Sequence, residues 1–322
     1  MRRDHHGRAM GGSLHIVVLD GPLGLGESAV QRIADLERRW TRFSPTSELS
    51  RLNALAGTPT FVSPETAHLV SRARTAWERT CGAFDPTVYD GVIALGYDRD
   101  IAMVRQRISR SGPGVPAPGC AGIEVDVASG YVWLPAGVRI DPGGIGKGLA
   151  ADLIAAAIVA AGAAGTLVNL GGDLRADGQT PIGGWRIGVE DPHQPARQLT
   201  TMTIHDQAVA TSSRLKRRWA TPDGGVHHLI DPRTGHPVES LVDSITVVAN
   251  EAWWAEAMTK ALMVTAEADW SSMLTDEYVI AVRPDGSIVE ASVETGVEAG
   301  VETGVETGVR RQPADDAKQV AV

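Results

Sequence analysis

Two runs lie far apart in this 322-residue chain and carry complementary chemistry: Asp141-Pro142-Gly143-Gly144-Ile145-Gly146-Lys147-Gly148 and His227-His228-Leu229-Ile230-Asp231-Pro232-Arg233-Thr234-Gly235. The first sets a carboxylate, a glycine-rich turn and a lysine ahead of a helix expected to start near Leu149. Glycines let backbone N–H groups approach phosphate oxygens, a helix N-terminus favours an anion, and an ammonium adds a point charge. The second run offers two imidazoles, either of which could serve as a general base, and Asp231 as an orienting carboxylate. Together they could hold a pyrophosphate and set a proton acceptor beside it. The glycine run is not a P-loop, because Gly148 rather than Ser or Thr follows Lys147, and it lacks the third glycine of a dinucleotide fingerprint. A His-His pair could mark a metal site, but no third ligand lies at characteristic spacing. Each run also has a plain reading, as a surface turn with a lysine and as a structural histidine.

Three further stretches could serve the same chemistry. Asn169-Leu170-Gly171-Gly172-Asp173 follows an apolar run, where ligand-facing loops sit. Ala210-Thr211-Ser212-Ser213 precedes Arg214-Leu215-Lys216-Arg217-Arg218, and hydroxyls beside guanidinium groups bind phosphate well, although a basic run is more often a solvated face. Asp85, ahead of Pro86, fits an Asx-turn.

The elements that must position these residues follow from periodicity. Residues 14–19 form a short apolar run, expected as a first strand. Residues 27–40 set Val30, Ile33, Leu36 and Trp40 near one helical face. Ser63-Pro64 opens a helix that Cys81-Gly82 closes. Residues 149–161 are alanine-rich and helical, and residues 251–264 form another helix. Strands are expected at 166–170, 185–189, 202–204, 208–210, 244–249 and 278–282. Strands mixed with a few helices, without regular alternation, indicate an α+β fold.

Composition sets the outer bounds. A hydrophobic content of 43% and a charged content of 21% are ordinary for a globular core. The net charge is −9, but residues 290–322 hold seven acidic and three basic side chains, so the body is only mildly acidic. That balance argues against nucleic acid or an anionic membrane surface as partner. Cys81 and Cys120 form no C-x-x-C pair and are expected as reduced thiols. Residues 1–13 lack an apolar export segment, and no apolar run is long enough for a membrane helix, so a cytoplasmic location is expected. Residues 1–9 are expected to be disordered and 10–288 to form the functional domain. Residues 289–322 are expected as a disordered tail, because a repeated Val-Glu-Thr-Gly period builds neither a helix face nor a strand face.

Taken in order, these pieces resemble one family, the FAD:protein FMN transferases, or flavin transferases of the ApbE type. The likeness runs from about residue 10 to 282. Ser44-Pro45-Thr46-Ser47-Glu48-Leu49-Ser50-Arg51-Leu52-Asn53 is similar to the family's early loop, and Gly82-Ala83-Phe84-Asp85-Pro86-Thr87-Val88 to its GAFDPTV run. Residues 141–152 resemble the glycine-lysine motif, 168–173 the NLGG motif, Ala210-Thr211-Ser212 the ATS motif, and 228–235 the H-x-I-D-P-x-T-G motif.

The resemblance implies an ApbE-like, T-fold-like α+β architecture of mixed or antiparallel sheets with packed helices, and FAD as substrate. A Thr or Ser hydroxyl of an acceptor protein with an FMN-binding domain would attack the flavin-side phosphorus, releasing AMP and leaving FMN linked by a phosphoester. By position, Met10, Phe43, Ala83, Phe84, Asp85, Asp141, Lys147 and Ile230 should line the FAD. His228 should receive the hydroxyl proton. Gly144 falls where the family sets a backbone oxygen on Mg²⁺. One departure concerns that metal. Where the family has Asp and Thr four apart on a helix, Ala255-Glu256-Ala257-Met258-Thr259-Lys260 presents Glu256 and Lys260. Glutamate can ligate Mg²⁺, whereas an ammonium cannot. Either Lys260 takes the metal's place on the phosphates, or the two form an ordinary i,i+4 pair worth about 0.2–0.5 kcal/mol. Two alternatives use the same site: an FAD pyrophosphatase yielding FMN and AMP, and a non-catalytic FAD-binding protein with an altered metal position.

Overall fold

The computed structural model describes residues 1–108, 112–222, 224–292 and 320–321. Eight strands form the central sheet: β1 (Arg2–Ala9), β2 (Gly12–Leu19), β3 (Gly165–Leu170), β4 (Asp173–Gly178), β5 (Ala208–Ser213), β6 (Ser244–Ala249), β7 (Tyr278–Val282) and β8 (Ile288–Ser292). Each pairs antiparallel with the next, so spatial order follows chain order. The long helices are α1 (Leu25–Trp40), α2 (Pro64–Arg79), α3 (Gly146–Ala160) and α4 (Ala252–Val264). The architecture is α+β, as the residue pattern indicates.

Burial on both faces explains why the strands read as continuous apolar runs. Ile16, Val18, Val168, Leu170, Ile245 and Val247 pack on one side with α1, α3 and α4. Val17, Leu167, Leu174, Val209, Val248 and Ile280 pack on the other, against the hairpin Trp185–Glu190 and Gln198–Ile204. Alternate residues of one strand thus serve two cores. A third apolar cluster, which includes Leu49, Leu52 and Ile140, packs beside α2.

Local chemistry sets the helix ends. Ser63 Oγ accepts the Thr66 N–H at 3.3 Å with Pro64 at the first helical position. α2 stops before Cys81 and Gly82, whose φ angles of 51° and 82° cannot continue a helix. α3 and α4 lack side-chain caps from their own N-cap residues and cap each other instead. Asp152 of α3 accepts the Ala252 and Trp253 N–H groups, both at 2.9 Å. Glu256 of α4 accepts the Gly148 N–H at 2.8 Å. The crossing is close: a Cβ at Gly148 would lie 2.2 Å from the Ala252 carbonyl oxygen.

Three sequence expectations need correction. Residues 1–9 are not disordered, because β1 pairs with β2 over its full length. Its polar sequence hides this, as an edge strand buries little of either face. The boundary at 288 also fails, since β8 crosses it and pairs with β7. The expected tail otherwise falls outside the described residues, apart from Val320–Ala321, which pair in parallel with Ile187 and Gly188. Finally, α3 begins at Gly146 rather than near Leu149, so Lys147 belongs to its first turn. Cys81 is exposed and Cys120 buried, and both are free. Among the described residues, no helix is long and apolar enough to cross a membrane.

Candidate active site

One cleft gathers the β1–β2 turn, the end of α1, residues 83–86 and 88, residues 141–144, 146 and 147, residues 228–230 and 232, Arg217 and Lys260. Met10, Phe43, Ala83, Phe84, Asp85, Asp141, Lys147 and Ile230 all line it, together with Gly144, His228 and Lys260. Glu256 is fully buried and touches two of these lining residues, Lys147 and Lys260. The cleft holds about 230 Å³, below the roughly 300–1,000 Å³ of sites that enclose a drug-sized ligand. A dinucleotide would therefore extend onto the rim.

Turns and ring contacts build the more apolar end. Met10 and Gly11 have φ of 50° and 73°, the double left-handed pattern of a two-residue hairpin turn, and this presents Met10 to the cleft. A Cβ at Gly144 would lie 2.8 Å from the Phe84 ring, so only glycine lets that ring rest against the loop. Arg42 Nε meets Asp141 Oδ2 at 3.0 Å with both side chains buried, and its guanidinium lies 4.4 Å from the Phe43 ring centre and 4.5 Å from that of Tyr97. Asp141 also accepts the Gly143 N–H at 2.7 Å, which fixes the glycine turn. Asp85 Oδ1 accepts the Thr87 N–H at 2.7 Å and its hydroxyl at 2.6 Å, the expected Asx-turn. Burial pushes the Asp85 carboxyl above the usual carboxylate range.

The charged end is built on α3 and α4. Lys147 Nζ pairs with Asp173 Oδ2 and lies 3.3 Å from Glu256 Oε1. Lys260 Nζ lies 3.5 Å from the same Glu256 oxygen. Burial lowers the Lys147 pKa to about 8, opposed by Glu256 and reinforced by Lys260 and Arg217. Burial also lowers Lys260, again opposed by Glu256. Burial alone would raise Glu256, but the two ammonium groups and the Gly148 N–H outweigh it, and the carboxyl ends below its ordinary value.

The two histidines part company. His227 is buried and does not line the cleft, and burial holds its pKa down at about 4. His228 lines the cleft; burial first, then Arg217 and Lys260, holds it well below the ordinary histidine value. Its Nδ1 is buried without a partner, so Nε2 is the nitrogen that opens on the cleft. Near neutral pH the ring is therefore neutral and able to accept a proton.

Several sequence readings are redirected. Asp231 does not orient His228; it accepts the Arg233 N–H at 2.9 Å and pairs with that guanidinium in its own turn. Gly148 serves the helix crossing rather than a phosphate. Thr211 Oγ1 lies 2.9 Å from Thr246 Oγ1, and Ser212 Oγ 2.7 Å from Thr259 Oγ1, so these hydroxyls serve the scaffold. In the basic run, Arg214 pairs with Asp243 and Lys216 with Glu190, while Arg217 reaches the cleft. Arg42 and Arg217 were not singled out from sequence. A cation in a run of cations has no individual signature, and the left-handed φ of 45° at Arg217 is not announced by its residue type.

Magnesium, which the resemblance implies at Gly144 and Glu256, does not suit these residues. Glu256 Oε2 caps α3 and Oε1 is shared by two ammonium groups. Thr259, the nearby hydroxyl, is fully buried and donates to the Glu256 carbonyl oxygen at 2.7 Å.

Comparison with known proteins bears on what this cleft serves. The chain is 30% identical over 262 residues to an FAD:protein FMN transferase of Rhodobacter capsulatus, covering 79% of this chain and 49% of that protein. It is 30% identical over 244 residues to one of Treponema pallidum, covering 68% of this chain and 65% of that protein. The chain thus spans about half of the first relative's length and just under two thirds of the second's. Among solved structures it superposes on the ApbE protein of Thermotoga maritima with a TM-score of 0.76 at 26% identity, covering 90% of this chain and 97% of that one. The sequence profile of the ApbE family matches residues 10–283, nearly the whole described domain, and the chain belongs to that family.

Proposed function

We propose that this protein transfers the FMN moiety of FAD to a Thr or Ser hydroxyl of an acceptor protein carrying an FMN-binding domain. Met10, Phe43, Ala83, Phe84, Asp85, Asp141, Lys147 and Ile230 contact FAD in this reading, and Lys147, Lys260 and Arg217 face its diphosphate. The acceptor hydroxyl oxygen attacks the flavin-side phosphorus and the bond from that phosphorus to the bridging oxygen breaks. AMP leaves, and the hydroxyl proton passes to His228 Nε2. The cations offset charge that builds on the phosphoryl oxygens and the leaving phosphate.

One observation carries the reading: a neutral imidazole opens on the same cleft as Lys147, Lys260 and Arg217 and the other seven positions expected on FAD. A neutral base beside cations suits proton removal during attack on a phosphoanhydride. Chromatography of the nucleotides tests it. With FAD and a suitable acceptor domain, AMP should appear in step with acceptor-bound flavin while free FMN stays low. Free FMN and AMP without labelled acceptor would identify a pyrophosphatase, and intact FAD after hours a binding protein.

A further inference from the structure

We propose that Lys260 and Lys147 together take the place of a divalent cation in this cleft, so that the diphosphate of the dinucleotide substrate is held by side-chain cations without a metal. The inference rests on the reading of the cleft as an FAD site.

Glu256 carries the argument. It is the acidic side chain of α4 nearest the charged end of the cleft, and it is fully buried. Its Oε2 is committed to the Gly148 N–H at 2.8 Å, which caps α3. Its Oε1 is shared by Lys147 Nζ at 3.3 Å and Lys260 Nζ at 3.5 Å. A magnesium ion binds oxygen at about 2.0–2.1 Å with near-octahedral geometry. Bound at Oε1, it would sit against two positive charges; bound at Oε2, it would displace the cap. The neighbouring hydroxyl gives no help, since Thr259 is turned to Ser212 and to the backbone.

The donor count points the same way. Lys147, Lys260 and Arg217 line the cleft, and the two lysines share the single buried carboxylate of Glu256. An ammonium has three N–H donors. Among the described residues, Lys260 has a single acceptor, Glu256, and that contact is long. Its remaining donors open on the cleft, where an anion would complete them. The helix N-terminus at Gly146 adds its partial positive charge on the same side. A compact fixed charge can thus do what a metal does for phosphate oxygens, namely offset charge, without a metal's coordination demands.

Binding of FAD to full-length, metal-stripped protein tests this through quenching of flavin fluorescence, in EDTA and in millimolar Mg²⁺. The affinity should agree within about twofold between the two conditions. Lys260→Met, which keeps the stem and removes the charge, should weaken FAD binding about tenfold or more in both, the scale of one charge-assisted contact. Lys260→Thr should show the same loss in EDTA and recover part of it on adding Mg²⁺. Mn²⁺ titration followed by electron paramagnetic resonance should find no stoichiometric site that appears only when FAD is present. FAD binding that requires Mg²⁺, or one Mn²⁺ per chain bound only with FAD, would overturn the lysine proposal and leave the FAD site standing. No FAD binding in either condition would overturn both. Circular dichroism of each variant separates a lost contact from a lost fold.

Discussion

His228 and Lys260 are both pushed toward their neutral forms by burial, yet the proposed transfer would use them oppositely. The histidine must be neutral to accept a proton, and the ammonium must stay charged to hold phosphate. Burial and the cations around His228 lower its pKa well below 6.5, whereas Glu256 opposes the same effect at Lys260. Protonation removes the base, so turnover is lost as pH falls through the folded-state value, and the acid limb should lie below the ordinary histidine range. Lys260→Met removes one of the depressing charges and should move that limb upward, measured as kcat against pH under saturating FAD. His228→Ala should lower kcat by about 10²–10⁴-fold, the usual worth of a general base, with little change in FAD affinity. Equal loss in both quantities would mean a binding role instead. At this scale the sequence was legible where residue type and order both counted, as for the placing of Lys147 and His228 on one cleft. Asp231 and Thr211 looked equally suitable by type, but local turns and sheet packing claimed them.

At the scale of elements, the α3–α4 crossing matters most, because each helix caps the other and each delivers one lysine. Asp152→Ala removes both acceptors at the start of α4, which should cost about 1–2 kcal/mol in denaturant unfolding. Because α4 carries Glu256 and Lys260, the same change should weaken FAD binding without touching the cleft. Burial raises the Asp152 carboxyl to about 7. The folded state then holds this proton more tightly than the unfolded chain, whose aspartate titrates near about 4. This group alone therefore makes stability fall as pH rises from about 4 to about 7, and Asp152→Asn should flatten that part of the profile. An unchanged slope would show that Asp152 does not titrate there. Gly148→Ala should force the helices apart at the Ala252 carbonyl and loosen both caps. None of this could be read from the chain alone. The alanine-rich run announced a helix, but not its partner across the crossing, and the glycines that suggest phosphate contact partly serve that crossing.

For the whole molecule, one antiparallel meander sets a helix-bearing face against the cleft, with β1 at its edge. The strands with two buried faces were legible because their apolar runs are strong. The edge strand was not, since Arg2–Ala9 is polar and its order comes from pairing rather than burial. Removing residues 2–9 should leave β2 as a bare edge, release the turn that presents Met10, and weaken FAD binding several-fold along with a lower Tm. We propose that the cleft moves FMN onto a protein. Intact-mass spectrometry of an FMN-binding acceptor domain, after incubation with FAD and this protein in EDTA, tests it most directly. The expected result is a gain of one phosphoester-linked FMN, formed far more slowly with His228→Ala. An acceptor of unchanged mass in EDTA and in Mg²⁺ alike, with FAD bound to the protein, would contradict it.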